Sequence, residues 1–123
     1  MSAQNNTKKI LVVDDSEMVR NFHSYIIKMF GYQVETAENG AVALEKLLGE
    51  EYQLIVTDIN MPIMDGYEMI KNIHDQRIAI PIIIISTEDE HMPGITGVNP
   101  GNDIYLVKPT NPEKLVSTIK MLL

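Results

Sequence analysis

The chain has 123 residues, no cysteine, and 17 acidic against 10 basic side chains, a net charge of −7. That length makes one domain with a core of its own. The missing thiol excludes a disulfide framework and cysteine chemistry, and the acidic balance argues against the basic face with which a domain binds nucleic acid.

No segment approaches the roughly 20 apolar residues of a membrane span. The polar start, Met1 to Thr7, lacks the apolar stretch of a signal peptide. Residues 1–7 therefore read as a flexible leader, 8–123 as one domain, and the expected location is the cytoplasm, with no membrane partner.

Short β-branched runs alternate with helical patterns along the chain, which predicts an α/β fold with a parallel sheet. The first run is Ile10 to Val13. A helix should follow from an N-cap at Ser16, with Glu17 in its first turn, an inward stripe of Val19, Phe22, Ile26 and Met29, and a stop at Gly31. The second run, Gln33 to Ala37, alternates and belongs near a sheet edge. Asn39-Gly40 turns the chain into a second helix with Ala43, Leu44, Leu47 and Leu48 inward, ended by Gly49. The third run is Leu54 to Thr57. The helix after Asp65-Gly66 turns Met69, Ile70 and Ile73 to the core. The fourth run, Ile80 to Ile85, is the most apolar and is expected at the centre.

Residues 88–103 carry Pro93, Gly94, Gly97, Pro100 and Gly101. Proline costs about 3 kcal/mol and glycine about 1 kcal/mol inside a helix. A helix here is expected to be shortened, broken or replaced by a loop. The fifth run is Ile104 to Val107. A last helix starts cleanly, with Asn111 as N-cap, Pro112 at the first position and Glu113 in the first turn, and a stripe of Leu115, Val116, Ile119 and Leu122.

The chemistry lies where the runs end. Asp14 and Asp15 follow the first, Asp58 the third, Ser86 the fourth and Lys108 the fifth. In a parallel sheet these ends line one edge, where ligands bind. Three carboxylates gathered there repel one another, and a hard divalent cation such as Mg²⁺ relieves the conflict. Alone, the Asp-Asp pair reads as a helix cap and Lys108 as a surface charge; jointly, at four strand ends, they read as a site. His23, His74 and His91 are scattered and are expected to face solvent, and the eight methionines to pack.

Val12-Val13-Asp14-Asp15-Ser16, Asp58-Ile59-Asn60-Met61-Pro62-Ile63-Met64-Asp65-Gly66, Ser86, and Tyr105-Leu106-Val107-Lys108-Pro109 together resemble the CheY-like receiver domain of bacterial two-component response regulators. The likeness runs from about Lys8 to Leu123. It implies a doubly wound five-stranded parallel sheet of order 2-1-3-4-5, flavodoxin-like, with helices on both faces. It implies a signalling protein that accepts a phosphoryl group on Asp58 from a histidine kinase, rather than an enzyme. Mg²⁺ would be held by Asp15 and Asp58, by the Asn60 backbone carbonyl, and by Asp14 through water. Lys108 and Ser86 would take other phosphoryl oxygens, and Tyr105 would be the aromatic partner of the Ser86 switch. Lys108-Pro109 would be a cis bond. Asn60, Thr87 and Glu88 would set the phosphate's lifetime, expected to be short.

Thr87 is bulkier than the residue usual there, and Thr110 stands where phenylalanine is common; with the irregular segment these departures bear on phosphate access and on the output partner. The expected protein is a stand-alone, chemotaxis-type or phosphorelay regulator, a monomer or weak dimer, with an unknown output partner. The alternatives are a receiver fragment of a larger regulator and a Mg²⁺-dependent phosphohydrolase. The latter lacks a carboxylate two residues after Asp58 and room for a cap.

Overall fold

The computed structural model describes residues 8–59, 61, 63–86, 103–107 and 111–123, with residues 103, 105 and 107 described by their backbone. Among the described residues five strands and four helices follow one another: β1 (Lys9–Val13), α1 (Glu17–Met29), β2 (Gln33–Ala37), α2 (Gly40–Gly49), β3 (Leu54–Asp58), α3 (Gly66–Asp75), β4 (Ile82–Ser86), β5 (Asp103–Val107) and α4 (Pro112–Leu122). The sheet is parallel throughout in the order β2-β1-β3-β4-β5. The expected leader and the irregular segment between β4 and β5 lie outside the described residues.

β1, β3 and β4 read as near-continuous apolar runs because both of their faces are covered, whereas the edge strand β2 alternates. Odd and even residues serve different cores. Leu11, Val13, Ile55, Ile82 and Ile84 pack with Ala43 and Leu47 of α2 and Met69, Ile70 and Ile73 of α3. Ile10, Val12, Leu54, Val56, Ile83, Ile85 and Leu106 pack with Ile27 of α1 and Leu115 and Ile119 of α4. The side-chain period of two thus divides each strand between two layers of helix. β2 does lie at an edge. The middle strand is β3, however, with β4 beside it: both are buried at every position, so apolarity could not rank them.

Each helix starts at a side-chain cap. The oxygens of Ser16, Asn39, Asp65 and Asn111 accept from the backbone N–H three residues on, at Val19, Val42, Glu68 and Lys114. Gly31 ends α1 at φ +95°, a conformation open to glycine, with its N–H donating to Lys28 O at 3.0 Å.

The face of α1 differs from the expected stripe. Its buried residues are His23, Ser24, Ile26 and Ile27, while Phe22 is 51% and Met29 64% exposed. The helix is apolar on two sides, and periodicity alone does not say which side meets the sheet. Leu48 likewise turns outward from α2, and Leu122 is half-buried on α4. His23 is buried beside the Phe22 ring, 5.9 Å between centroids, and His74 is half-buried, so neither is the solvent-facing histidine expected. His91 lies outside the described residues.

Candidate phosphoryl-transfer site

β1 and β3 are adjacent in the sheet, and both deliver carboxylates at its carboxyl edge. Asp14 and Asp15 follow Val13, and Asp58 ends β3. One carboxylate oxygen from each lies within 4.8 Å of the others. Asp14 and Asp58 are buried, at 5% exposure each, and Asp15 is exposed.

Backbone donors hold the two buried carboxylates. Asp14 Oδ1 accepts from Ser16 N–H at 2.9 Å, which also fixes the turn into α1. Its own N–H donates to Ala37 O of β2 at 3.1 Å, and its carbonyl accepts from the Arg20 guanidinium at 2.7 Å. Asp58 Oδ1 accepts from Ile59 N–H at 2.9 Å, and the Thr57 hydroxyl donates to the Asp58 carbonyl at 2.8 Å. The chain then folds back: Gly66 N–H donates to Ile59 O at 2.8 Å. A Cβ on Gly66 would stand 2.6 Å from the Asp58 carbonyl oxygen, so only glycine allows this approach. Ile63, in the same loop, is 82% exposed and takes φ +69°, which is strained for a β-branched residue. Ser86 ends β4, next to β3, fully buried, and among the described residues its Oγ finds no hydrogen-bond partner. A buried hydroxyl of that kind is costly unless it serves something else.

The donor set suits a hard divalent cation. Three carboxylate oxygens are Mg²⁺-type ligands. Carboxylate oxygens within 4.8 Å of one another are close enough for one ion to be shared among all three.

Of the residues singled out in the sequence, the fold gathers Asp14, Asp15 and Asp58 and puts Ser86 on the neighbouring strand end. Tyr105 lies in β5, one residue before Leu106, with its side chain outside the description. Asn60, Thr87, Glu88, Lys108, Pro109 and Thr110 lie outside the described residues. Sequence reasoning missed Arg20, the Ala37 carbonyl, Gly66 and Ile63. Gly66 left a signal, a glycine just after a capping aspartate; the other three act through contacts or backbone angles that no local pattern records.

Among the described residues no helix is long and apolar enough to cross a membrane. Residues 10–120 match the response regulator receiver domain. The chain is 37% identical to the alkaline phosphatase synthesis transcriptional regulatory protein PhoP of Bacillus subtilis, over 94% of this chain and 48% of that protein. It is 38% identical to the transcriptional regulatory protein ResD of the same organism, over 98% and 50%. The chain thus spans about half the length of these curated relatives. Among solved structures, the chemotaxis protein CheY4 of Vibrio cholerae superposes with a TM-score of 0.83 at 37% identity, over 95% of this chain and 99% of that one. The response regulator TrrA of Thermotoga maritima, solved in complex with Mg²⁺-BeF, superposes with a TM-score of 0.85 at 32% identity, over 95% and 100%. The carboxylate cluster at the edge of a 2-1-3-4-5 sheet thus sits in a chain that belongs to the receiver domain family of two-component response regulators.

Proposed function

We propose that Asp58 accepts a phosphoryl group from a histidine kinase and that the loaded domain switches its binding to an output partner. The observation that carries this is the pairing of three clustered carboxylates with a buried Ser86 hydroxyl, unpartnered among the described residues, on the neighbouring strand end. An Asp58 carboxylate oxygen attacks the phosphorus of a phosphohistidine. The new O–P bond forms as the P–N bond breaks, and the imidazole leaves with the electron pair and takes up a proton. Such transfer asks chiefly for positioning and charge neutralisation.

Asp15 and Asp58, with the Asn60 carbonyl, would hold Mg²⁺ directly and Asp14 through water; the ion when bound supplies positive charge beside the phosphoryl oxygens. Exposure of Asp15 and the tether of Asp14 to Ser16 N–H favour that division. Lys108 offers its ammonium to a second oxygen. The Ser86 hydroxyl gains a partner when the phosphoryl group arrives, and Tyr105 follows it; this local event biases a two-state element. Asn60, Thr87 and Glu88 govern water's access to the phosphoryl group.

The output belongs to the whole protein. PhoP and ResD are named transcriptional regulatory proteins, and this chain matches half of each. DNA is therefore a fitting partner of a longer regulator, and the acidic charge argues only that this domain is not the part that touches it. The near-complete coverage of CheY4 favours a second reading, a chemotaxis-type partner protein.

Incubation with acetyl phosphate and Mg²⁺, followed by intact-mass measurement, tests the acceptor. Wild type should gain one phosphoryl group and Asp58→Asn none. Equal labelling of Asp58→Asn would sink the assignment.

A further inference from the structure

Asp15 is the exposed member of the carboxylate cluster, and among the described residues no hydrogen bond or ion pair holds its carboxylate. Its placement therefore rests on the backbone that carries it. That backbone is held through Asp14. The Asp14 N–H donates to Ala37 O at 3.1 Å, and its Oδ1 accepts from Ser16 N–H at 2.9 Å, which closes a turn across Asp15. The third bond comes from a side chain. Arg20, half-buried on α1, donates from Nη1 to the Asp14 carbonyl at 2.7 Å. That carbonyl and the Asp15 N–H share one planar peptide. Holding the carbonyl fixes the plane from which Asp15 departs.

Charge alone gives Arg20 a different task. A cation beside three carboxylates offsets their repulsion while no metal is bound, and it repels a divalent ion that arrives there. The two roles predict opposite signs. If Arg20 is a counter-charge, its loss tightens binding of the ion. If it is a clamp, its loss weakens binding. Two magnitudes decide between them. A half-exposed charge is screened by water and salt and changes little. Groups that orient metal ligands are worth about 10–100-fold in affinity. The position on α1 agrees. Arg20 stands four residues into the helix, near the end where the dipole favours an acid such as Glu17 over a base.

We propose that Arg20 is a positioning residue for the metal. It holds the Asp14–Asp15 peptide so that the Asp15 carboxylate meets the ion, and this outweighs the repulsion between the two cations. The proposal rests on the reading of the cluster as a Mg²⁺ site. Arg20 acts through the peptide rather than as a ligand, since a guanidinium offers only donors.

Calorimetric titration of the unphosphorylated protein with MgCl₂, below each variant's metal-free thermal midpoint, tests the proposal. Arg20→Met keeps the apolar stem and removes both charge and donors, and its affinity should fall about tenfold. That loss should persist at about 1 M KCl, where charge effects reach only about 3 Å. Arg20→Lys keeps the charge but replaces the planar fork with a flexible point donor, and it should lose severalfold, less than Arg20→Met. Lys46 lines the same groove beside Ala37 but reaches Glu35 instead. Lys46→Met should therefore bind Mg²⁺ as wild type does or slightly tighter. Unchanged or tighter binding by Arg20→Met overturns the proposal and leaves Arg20 a counter-charge. Where Arg20→Met does not fold, Arg20→Lys decides: wild-type affinity in it overturns the clamp. A loss in Lys46→Met equal to that in Arg20→Met overturns it as well, because the effect would then not run through the peptide. A wild type that binds no Mg²⁺ overturns the reading of the cluster itself, and the proposal with it.

Discussion

The two edges of the sheet handle charge in opposite ways. Near the amino edge, opposite charges are matched. Lys9 Nζ lies 2.6 Å from Glu50, the Tyr52 hydroxyl donates to Glu50 at 3.0 Å and to Glu35 at 3.4 Å, and Lys46 reaches Glu35 at 3.5 Å. Lys9 also stands over the Tyr52 ring, 5.0 Å from its centroid. At the carboxyl edge, three like charges share a space of 4.8 Å, and two of them are buried. The glycines follow the same division. Side chains at Gly40 and Gly66, by the carboxyl edge, would collide with backbone, whereas nothing lies within 4 Å of a Cβ on Gly49. One edge pairs opposite charges, and the other gathers like charges where a cation could be held.

The largest test of this contrast is steric. Gly66→Ala should destabilise the fold by about 2–3 kcal/mol, because the Asp58 carbonyl must give way. Gly49→Ala should be neutral or gain up to about 1 kcal/mol. Urea unfolding of both reads the difference, and equal effects would erase it.

Metal addition comes next. At ten times its dissociation constant, Mg²⁺ should stabilise the protein by about 1.4 kcal/mol, a rise of about 5 °C in thermal midpoint. Asp15→Ala should lose nearly all of this rise and Asp14→Ala less of it. An undiminished rise in Asp15→Ala would remove the assigned direct contact.

In Mg²⁺-free buffer Asp58→Asn should raise stability by about 1 kcal/mol, since it removes one of three repelling charges. The matched edge should answer with the opposite sign: Glu50→Gln there lowers stability.

The smallest effect is in pH. Hydrogen bonding to Lys9 first, then to Tyr52, lowers the Glu50 carboxyl below its usual 4.5. Its contribution is present above pH 4.5 and fades as pH falls. The same bond to Glu50 raises Lys9 above 10.5, and burial, then the bond to Glu50, pushes Tyr52 well above 10. Their contributions are complete below those usual values and are lost as pH rises through the raised ones. Urea midpoints of Glu50→Gln across pH should lose the acid limb first, and an unaltered profile would show that the pair is too solvated to matter.

The inner strands β1, β3 and β4 were legible because burial on both faces forces a near-continuous apolar run, and β2 because it alternates as an edge strand does. Helix starts were legible from local signals, Ser16 and Asn111 as caps and Asn39-Gly40 and Asp65-Gly66 as the breaks before α2 and α3; the structure shows that Asn39 and Asp65 are caps as well. The inward face of α1 was not legible. Ile26 and Ile27 are buried beside His23 and Ser24, while Phe22 and Met29 face out, so hydrophobicity points both ways. At the site, three acidic residues were legible because each stands at a strand end. Arg20 and Ile63 were not: their roles come from an approach between segments and from a backbone angle that the sequence does not carry, while Gly66 left only the signal of a glycine after an aspartate.

Gly40, at the start of α2, donates its N–H to Met64 O in the loop after β3 at 3.2 Å, and a Cβ there would lie 2.8 Å from that same oxygen. The consequence is mechanical. The turn capped by Asn39 and the loop that follows Asp58 are stitched into a single opening unit, although 24 residues of chain lie between Asn39 and Met64. Amide protons on the two segments should therefore exchange with solvent at a common rate. Loosening the Asn39 cap would fray the loop beside Asp58 as surely as a change in the loop itself.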